Sequence, residues 1–201
     1  MRILIFDTET TGKIQKMNKY HKPSVFESEF WPRIVEIAWK LVDDTEVMEK
    51  SSCLIKPENY VIPEDSIKIH KITQEMAIAE GIAIDTALSS FIEAVDAADI
   101  IVAHNIEFDL KVICSELVRL RRLSDVQTLQ SKRNICTMLV GTSFCAIPNS
   151  YGSYKWPSLS ELYRTLHGTE MGEAHRALLD VEATAACLFK LEEHKRVKLR
   201  E

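Results

Sequence analysis

Three short segments carry the residues whose types and spacing suit chemistry. They are Phe6-Asp7-Thr8-Glu9-Thr10-Thr11-Gly12, His104-Asn105-Ile106-Glu107-Phe108-Asp109 and His175-Arg176-Ala177-Leu178-Leu179-Asp180. Asp7, Glu9, Asp109 and Asp180 each border an apolar run that reads as buried, where a carboxylate is costly unless a positive group meets it. Four convergent carboxylates would balance two divalent cations, and such a pair suits attack on a phosphodiester. The residues therefore point to a metal-dependent nuclease.

Spacing assigns each group a place. Asp7 and Glu9 are two apart on an expected strand, so both project from one face, and their oxygens suit Mg²⁺ or Mn²⁺. Taken alone, such a pair could equally be a solvated strand end. Asp109 falls in the first turn of an expected helix, where the dipole favours an acid in any case, by ~0.3–1 kcal/mol. Because that helix directly follows a buried strand, Asp109 should lie near the sheet edge where Asp7 and Glu9 emerge. His175 and Asp180 differ by about 140° on a regular helix and could not share a face. His175 is thus expected on a mobile loop before the helix, with Asp180 in the first turns. An imidazole with an unperturbed pKa of ~6.5 suits a proton acceptor near neutral pH.

The elements that must hold these groups follow from pattern. Residues 2–7 read as a central strand buried on both faces, 33–42 as a second strand and 47–56 as a third, stopped by Pro57. Short connections, apart from the longer link between the first two strands, favour an antiparallel meander. Asp85 is expected to cap a helix bearing Leu88, Phe91, Ile92 and Val95 on one face. Residues 100–103 form a short buried strand, and Asn105 caps a helix running to about Arg121. Ser158 to Glu161 reads as a capping box, Gly168 as the close of that helix, and Ala177 to His194 as the last helix. The order predicts an α/β domain with a mixed sheet, and residues 1–201 as one domain.

Bulk properties exclude several classes. No stretch approaches a membrane span, and the apolar start Ile3–Phe6 is too short for a signal peptide. The five cysteines make no zinc-ligand spacing and read as reduced core thiols, so the expected location is cytoplasmic. The net charge of −5 owes most of its excess to the four candidate carboxylates, so nucleic-acid binding would depend on local basic patches.

The chain resembles the DnaQ-like 3′–5′ exonucleases of the DEDDh branch, on a ribonuclease-H-like fold of mixed β-sheet flanked by α-helices. The three segments above are similar to that family's three motifs, Arg33–Ala38 to its second strand, and the resemblance runs from Ile3 to about Leu191. It implies two divalent metal ions held by Asp7, Glu9, Asp109 and Asp180, with His175 as general base. It also implies that Thr10, His70, Asn105 and Phe108 bind the 3′-terminal nucleotides, although Phe108 could equally be a core residue of its helix. The implied partner is nucleic acid with a free 3′ end, DNA ahead of RNA, with a DNA polymerase as a further candidate. The alternatives are an RNA-directed exonuclease of the same family and a non-catalytic polymerase-associated scaffold. Retention of all five signature positions argues against the scaffold. At 201 residues the chain is too short to include a polymerase and has no long tail, which makes tethered proofreading a less direct expectation.

Two segments depart from the compact pattern. Between Gly12 and Arg33, Lys13, Lys16, Lys19 and Lys22 recur every third residue; they either steer a phosphate backbone or decorate a solvated mobile loop. Tyr151 to Pro157 interleaves aromatics with a lysine and either stacks on unpaired bases or anchors the following helix. The basic tail, Lys195 to Arg200, reads as a frayed helix end.

Overall fold

Alternation along the first strand divides the interior in two. The computed structural model describes residues 1–44, 46–172 and 175–199. Strand β1 (Arg2–Thr10) sends Leu4 and Phe6 to one face and Ile3 and Ile5 to the other, all at most 1% exposed. Phe6 meets Phe91 edge-on at 5.3 Å, and Phe91 meets Trp39 at 5.7 Å. Ile3 and Ile5 pack instead on Ala177, Val181, Ala185 and Leu188 of the last helix. A strand buried on both faces reads as a continuous apolar run, as residues 2–7 do.

The sheet order is β3-β2-β1-β4-β5, with β2 spanning Ile34–Asp43, β3 Glu46–Leu54, β4 Ile100–Ala103 and β5 Arg133–Cys136. β1, β2 and β3 form the expected antiparallel meander, and β4 and β5 add in parallel. β1 continues three residues past the expected end at Asp7 because Thr8 and Glu9 still pair with Ile37 and Glu36.

Eight α-helices and one 3-10 turn (Ser28–Phe30) lie among the described residues: α1 (Glu64–His70), α2 (Gln74–Glu80), α3 (Ile84–Ala97), α4 (Ile106–Arg119), α5 (Leu123–Ser131), α6 (Thr137–Cys145), α7 (Leu159–His167) and α8 (Ala177–Glu193). α3 and α4 cover the Leu4 and Phe6 face, and α8 covers the other. Asp85 lies inside α3 without capping it; its carboxylate pairs with Arg122 at 2.8 Å instead. The capping box at Ser158 and Glu161 is formed, and Gly168 closes α7 at φ 72°. Among the described residues no helix is long and apolar enough to cross a membrane.

The lysine-bearing segment and the basic tail are both folded. Residues 13–33 are not a free loop: Val25 and Trp31 are buried, and the Arg119 guanidinium donates to the carbonyls of Ser28 and Trp31. Their four lysines remain exposed. The basic tail leaves the helix after Glu193. Leu199 is 3% exposed in the α8-side core, and Arg133 donates to the carbonyls of Lys198 and Leu199. An apolar residue at the end of the tail docks it, so it does not fray as expected; Arg200 lies outside the described residues.

Candidate active site

The parallel pairing of β1 and β4 brings their carboxyl ends to one edge, where the candidate residues gather. Asp7 and Glu9 emerge from β1 on the face covered by α8, and Asp180 enters from the first turn of α8. Asp109, in the first turn of α4, arrives from the opposite face. Thr8 points to that opposite face and fixes it: its hydroxyl donates to Asp109 Oδ1 at 2.7 Å and its backbone N–H at 3.2 Å. His175 precedes α8 as expected, exposed and in the left-handed region at φ 67°. Its N–H donates to Asp180 Oδ2 at 3.1 Å.

Burial, and after it the crowding of like charges, shows in the acids' protonation. Asp7 and Glu9 open partly to a cavity, yet protein encloses them on the remaining sides. Burial, then repulsion from Asp109, Asp180, Glu9 and Glu36, holds the Asp7 carboxyl well above its ordinary range. Burial and the same neighbours push Glu9 up to about 8, with Arg176 pulling the other way. Burial raises Asp109 to about 7 against the hydrogen bonds from Thr8. Asp180 is raised by burial, opposed by the His175 N–H. Such a cluster keeps protons at neutral pH unless a cation replaces them. The donor set fits a divalent ion: one ligand atom each of Glu9, His175 and Asp180 lies within 4.8 Å of the others.

A fifth carboxylate, unassigned by sequence reasoning, organises this edge. Glu36 pairs across the strands with Glu9 and is 1% exposed. It accepts from Arg176 Nε and Nη2 at 3.1 Å each, from Ala177 N–H at 3.1 Å and from Ser52 Oγ at 2.9 Å. The bidentate arginine neutralises it, and the Ala177 contact satisfies an open N–H at the start of α8. Glu36 thus clamps the turn that carries His175 and Asp180. An ionisable residue between the apolar Val35 and Ile37 of an expected strand was the available signal.

Two cavities flank the cluster and share Thr8, Glu9 and Asn105. The first, about 470 Å³, is lined by all four expected nucleotide-binding residues: Thr10, His70, Asn105 and Phe108. Thr10 spends its hydroxyl on Gly12 O at 2.8 Å, so its backbone is what it offers a ligand. Gly12 stands at φ 141°, a conformation open to glycine. His70, 1% exposed, accepts the Ile72 N–H on Nδ1 at 3.0 Å; burial lowers its pKa, so Nε2 carries the proton toward the Thr10 backbone, outside hydrogen-bond geometry. Phe108 packs on the core and also lines the cavity. Asn105 is the residue before α4 at φ 66°, but its side chain makes no capping bond and faces both cavities.

The second cavity, about 630 Å³, joins Asp7, Glu9, His175 and Asp180 to residues 155–159. His104 ties that segment to the end of β4. Burial lowers its pKa to about 4, so the ring is neutral. Pro157 O can only accept, so Nε2–H donates to it at 3.1 Å, and Nδ1 accepts the Thr137 hydroxyl at 3.0 Å.

A family model described as Exonuclease, RNase_T, matches residues 4–188. PolC-type DNA polymerase III of Staphylococcus aureus strain MW2 is 30% identical over 192 residues, and that of strain RF122 is 29% identical. The match covers 94% of this chain but 11% of those polymerases. Exonuclease X in complex with 5′ overhanging duplex DNA is 26% identical with a TM-score of 0.62, covering 98% of this chain and 94% of that one. Escherichia coli exonuclease I with a dA16 oligonucleotide has a TM-score of 0.70 at 20% identity, over 96% of this chain and 41% of its own, a likeness of fold. By the match over residues 4–188 and the mixed sheet that carries it, the chain belongs to the DnaQ-like exonuclease family and has its ribonuclease-H-like fold.

Proposed function

We propose that residues 1–201 act as one catalytic domain that hydrolyses DNA from a 3′ end and releases nucleoside 5′-monophosphates. One observation carries this reading: acids from three distant motifs meet at one strand end, beside a cavity lined by all four expected nucleotide-binding residues. The terminal nucleoside enters that cavity between His70 and Phe108, which sets its phosphodiester against the acidic cluster. Asp7, Glu9, Asp109 and Asp180 would hold two Mg²⁺ or Mn²⁺ ions. When bound, these ions supply positive charge to the phosphate and a more acidic water. His175 takes the proton of the attacking water, and its exposure lets that proton pass to solvent. Thr8 and Glu36 do no chemistry; they hold Asp109 and the His175 turn in place. DNA rather than RNA is supported by the PolC relatives and by the DNA in the exonuclease X complex. The likeness to PolC also supports a DNA polymerase as a partner.

A second role for His175 has its own support. Its ring lies within ligand reach of Glu9 and Asp180, so it could complete a metal site directly. The His175→Ala variant separates the roles: loss of turnover with metal affinity kept marks a base, and joint loss marks a ligand.

The reaction itself is tested with 5′-labelled single-stranded DNA and Mg²⁺. A free 3′ hydroxyl should give a ladder shortening from that end, and a blocked 3′ hydroxyl should protect the strand. Rapid internal cutting of the blocked strand would refute the exonuclease reading.

A further inference from the structure

The segment joining α6 to α7 is a narrow hairpin built to present aromatic rings. Pro148 and Tyr154 form an antiparallel bridge, Asn149 N–H donates to Ser153 O at 2.8 Å, and Lys155 N–H donates to Ile147 O at 2.9 Å. Asn149 Oδ1 closes the tip by accepting the N–H of Tyr151 at 2.8 Å and of Ser153 at 3.1 Å. Gly152 makes the turn at φ 76°. The His104 bond to Pro157 O fixes the foot of the hairpin to the catalytic edge.

The rings do not anchor α7. That helix starts on its own capping box and buries Leu162 and Leu166. Tyr151, Tyr154 and Trp156 are 91%, 52% and 64% exposed, so the core gains little from them. Large aromatics left in water beside a candidate site mark a binding surface. Trp156 and Lys155 also line the same cavity as Asp7, Glu9, His175 and Asp180.

We propose that Trp156 and Tyr154 form a stacking wall for the unpaired bases immediately 5′ of the scissile phosphate. The inference rests on the exonuclease reading. A strand whose last nucleoside fills the His70 and Phe108 cavity, with its phosphate at the acidic cluster, continues into the second cavity, whose wall includes Trp156. Ring-on-base stacking tolerates any base but needs its face free, which a paired end denies. Lys155, held by Glu161 at 2.6 Å, keeps one positive charge at the same rim.

Two substrates separate this wall from the catalytic centre. The methyl ester of thymidine 5′-monophosphate fills the terminal cavity and the reaction centre with no ring beyond the phosphate, and oligo-dT also reaches the hairpin. In the Tyr154→Ala, Trp156→Ala double variant, KM for oligo-dT should rise about tenfold more than KM for the ester. Trp156→Phe keeps a stacking ring and should retain most of the oligo-dT affinity. Trp31 and Trp39 are 5% and 0% exposed, so Trp156 is the solvent-facing fluorophore. Oligo-dT with phosphorothioate linkages at its 3′ end should quench its emission, and the quench should vanish in Trp156→Phe. Equal losses on both substrates, or no quench in the wild type, overturn the stacking wall while leaving the exonuclease reading intact. A wild-type protein that cleaves neither substrate overturns both.

Discussion

Asp109 and His175 reach the same strand end from opposite sides of the sheet and are held in opposite ways. Asp109 is 4% exposed, with its carboxylate gripped by the hydroxyl and backbone of Thr8. His175 is exposed, left-handed in its backbone and fixed through its N–H and the Glu36 clamp behind it. The acids are set by the core of the fold, and the proposed proton acceptor stands exposed at the rim. That division suits a site whose charges must be preorganised but whose base must exchange protons.

The comparison breaks most completely at Asp7. Asp7→Ala should bring nucleotide release to background and abolish Mn²⁺ binding together, read by product assay and calorimetry; retention of both removes the central ligand assignment. At the rim, His175→Ala should lower kcat by roughly 10²–10⁴-fold. Its Mn²⁺ affinity should hold, and normal cutting across pH 6–9 would dismiss it as the base. Glu36→Gln comes next. It keeps the shape of the clamp but removes the charge facing Arg176, and should cost about 10–100-fold in activity or Mn²⁺ affinity. Unchanged kinetics would show that the clamp is dispensable.

Smaller effects test the buried side. Thr8→Val removes the 2.7 Å hydroxyl bond but leaves the N–H, so a loss of about 1 kcal/mol is expected, visible in denaturant midpoints. The metal-free protein should also respond to pH. With Glu9 near 8, Asp109 near 7 and Asp7 raised, the folded chain keeps protons that the unfolded chain releases from about pH 4 upward. Stability is then greatest at the acid end of that window and declines as pH rises toward 8. Tm in EDTA should fall from pH 5 to pH 8, and Mg²⁺ should restore it most at pH 8. A Tm that climbs over that range would show that burial and crowding do not hold these carboxyls above their ordinary range.

How legible each part was depends on the distance over which its meaning is set. β4 and the α7 capping box could be read from adjacent residues and stand where expected. β5 escaped because it begins with Arg133 and Asn134, polar residues at a sheet edge. α1 and α2, seven residues each, are too short to show a face. The five candidate residues were visible because each sits inside a compact motif. Glu36 was not, since its partner Arg176 lies 140 residues away and its place opposite Glu9 depends on strand register. The Thr8 grip on Asp109 spans 101 residues and was hidden for the same reason.

Titration of the metal-free protein with Mn²⁺, with release of 5′-mononucleotides followed on the same samples, tests the central claim most directly. Binding of two ions, with activity rising as they bind and both lost in Asp7→Ala, is the predicted result. Mononucleotide release that persists at full rate in EDTA, or Mn²⁺ binding unaltered in that variant, would contradict it.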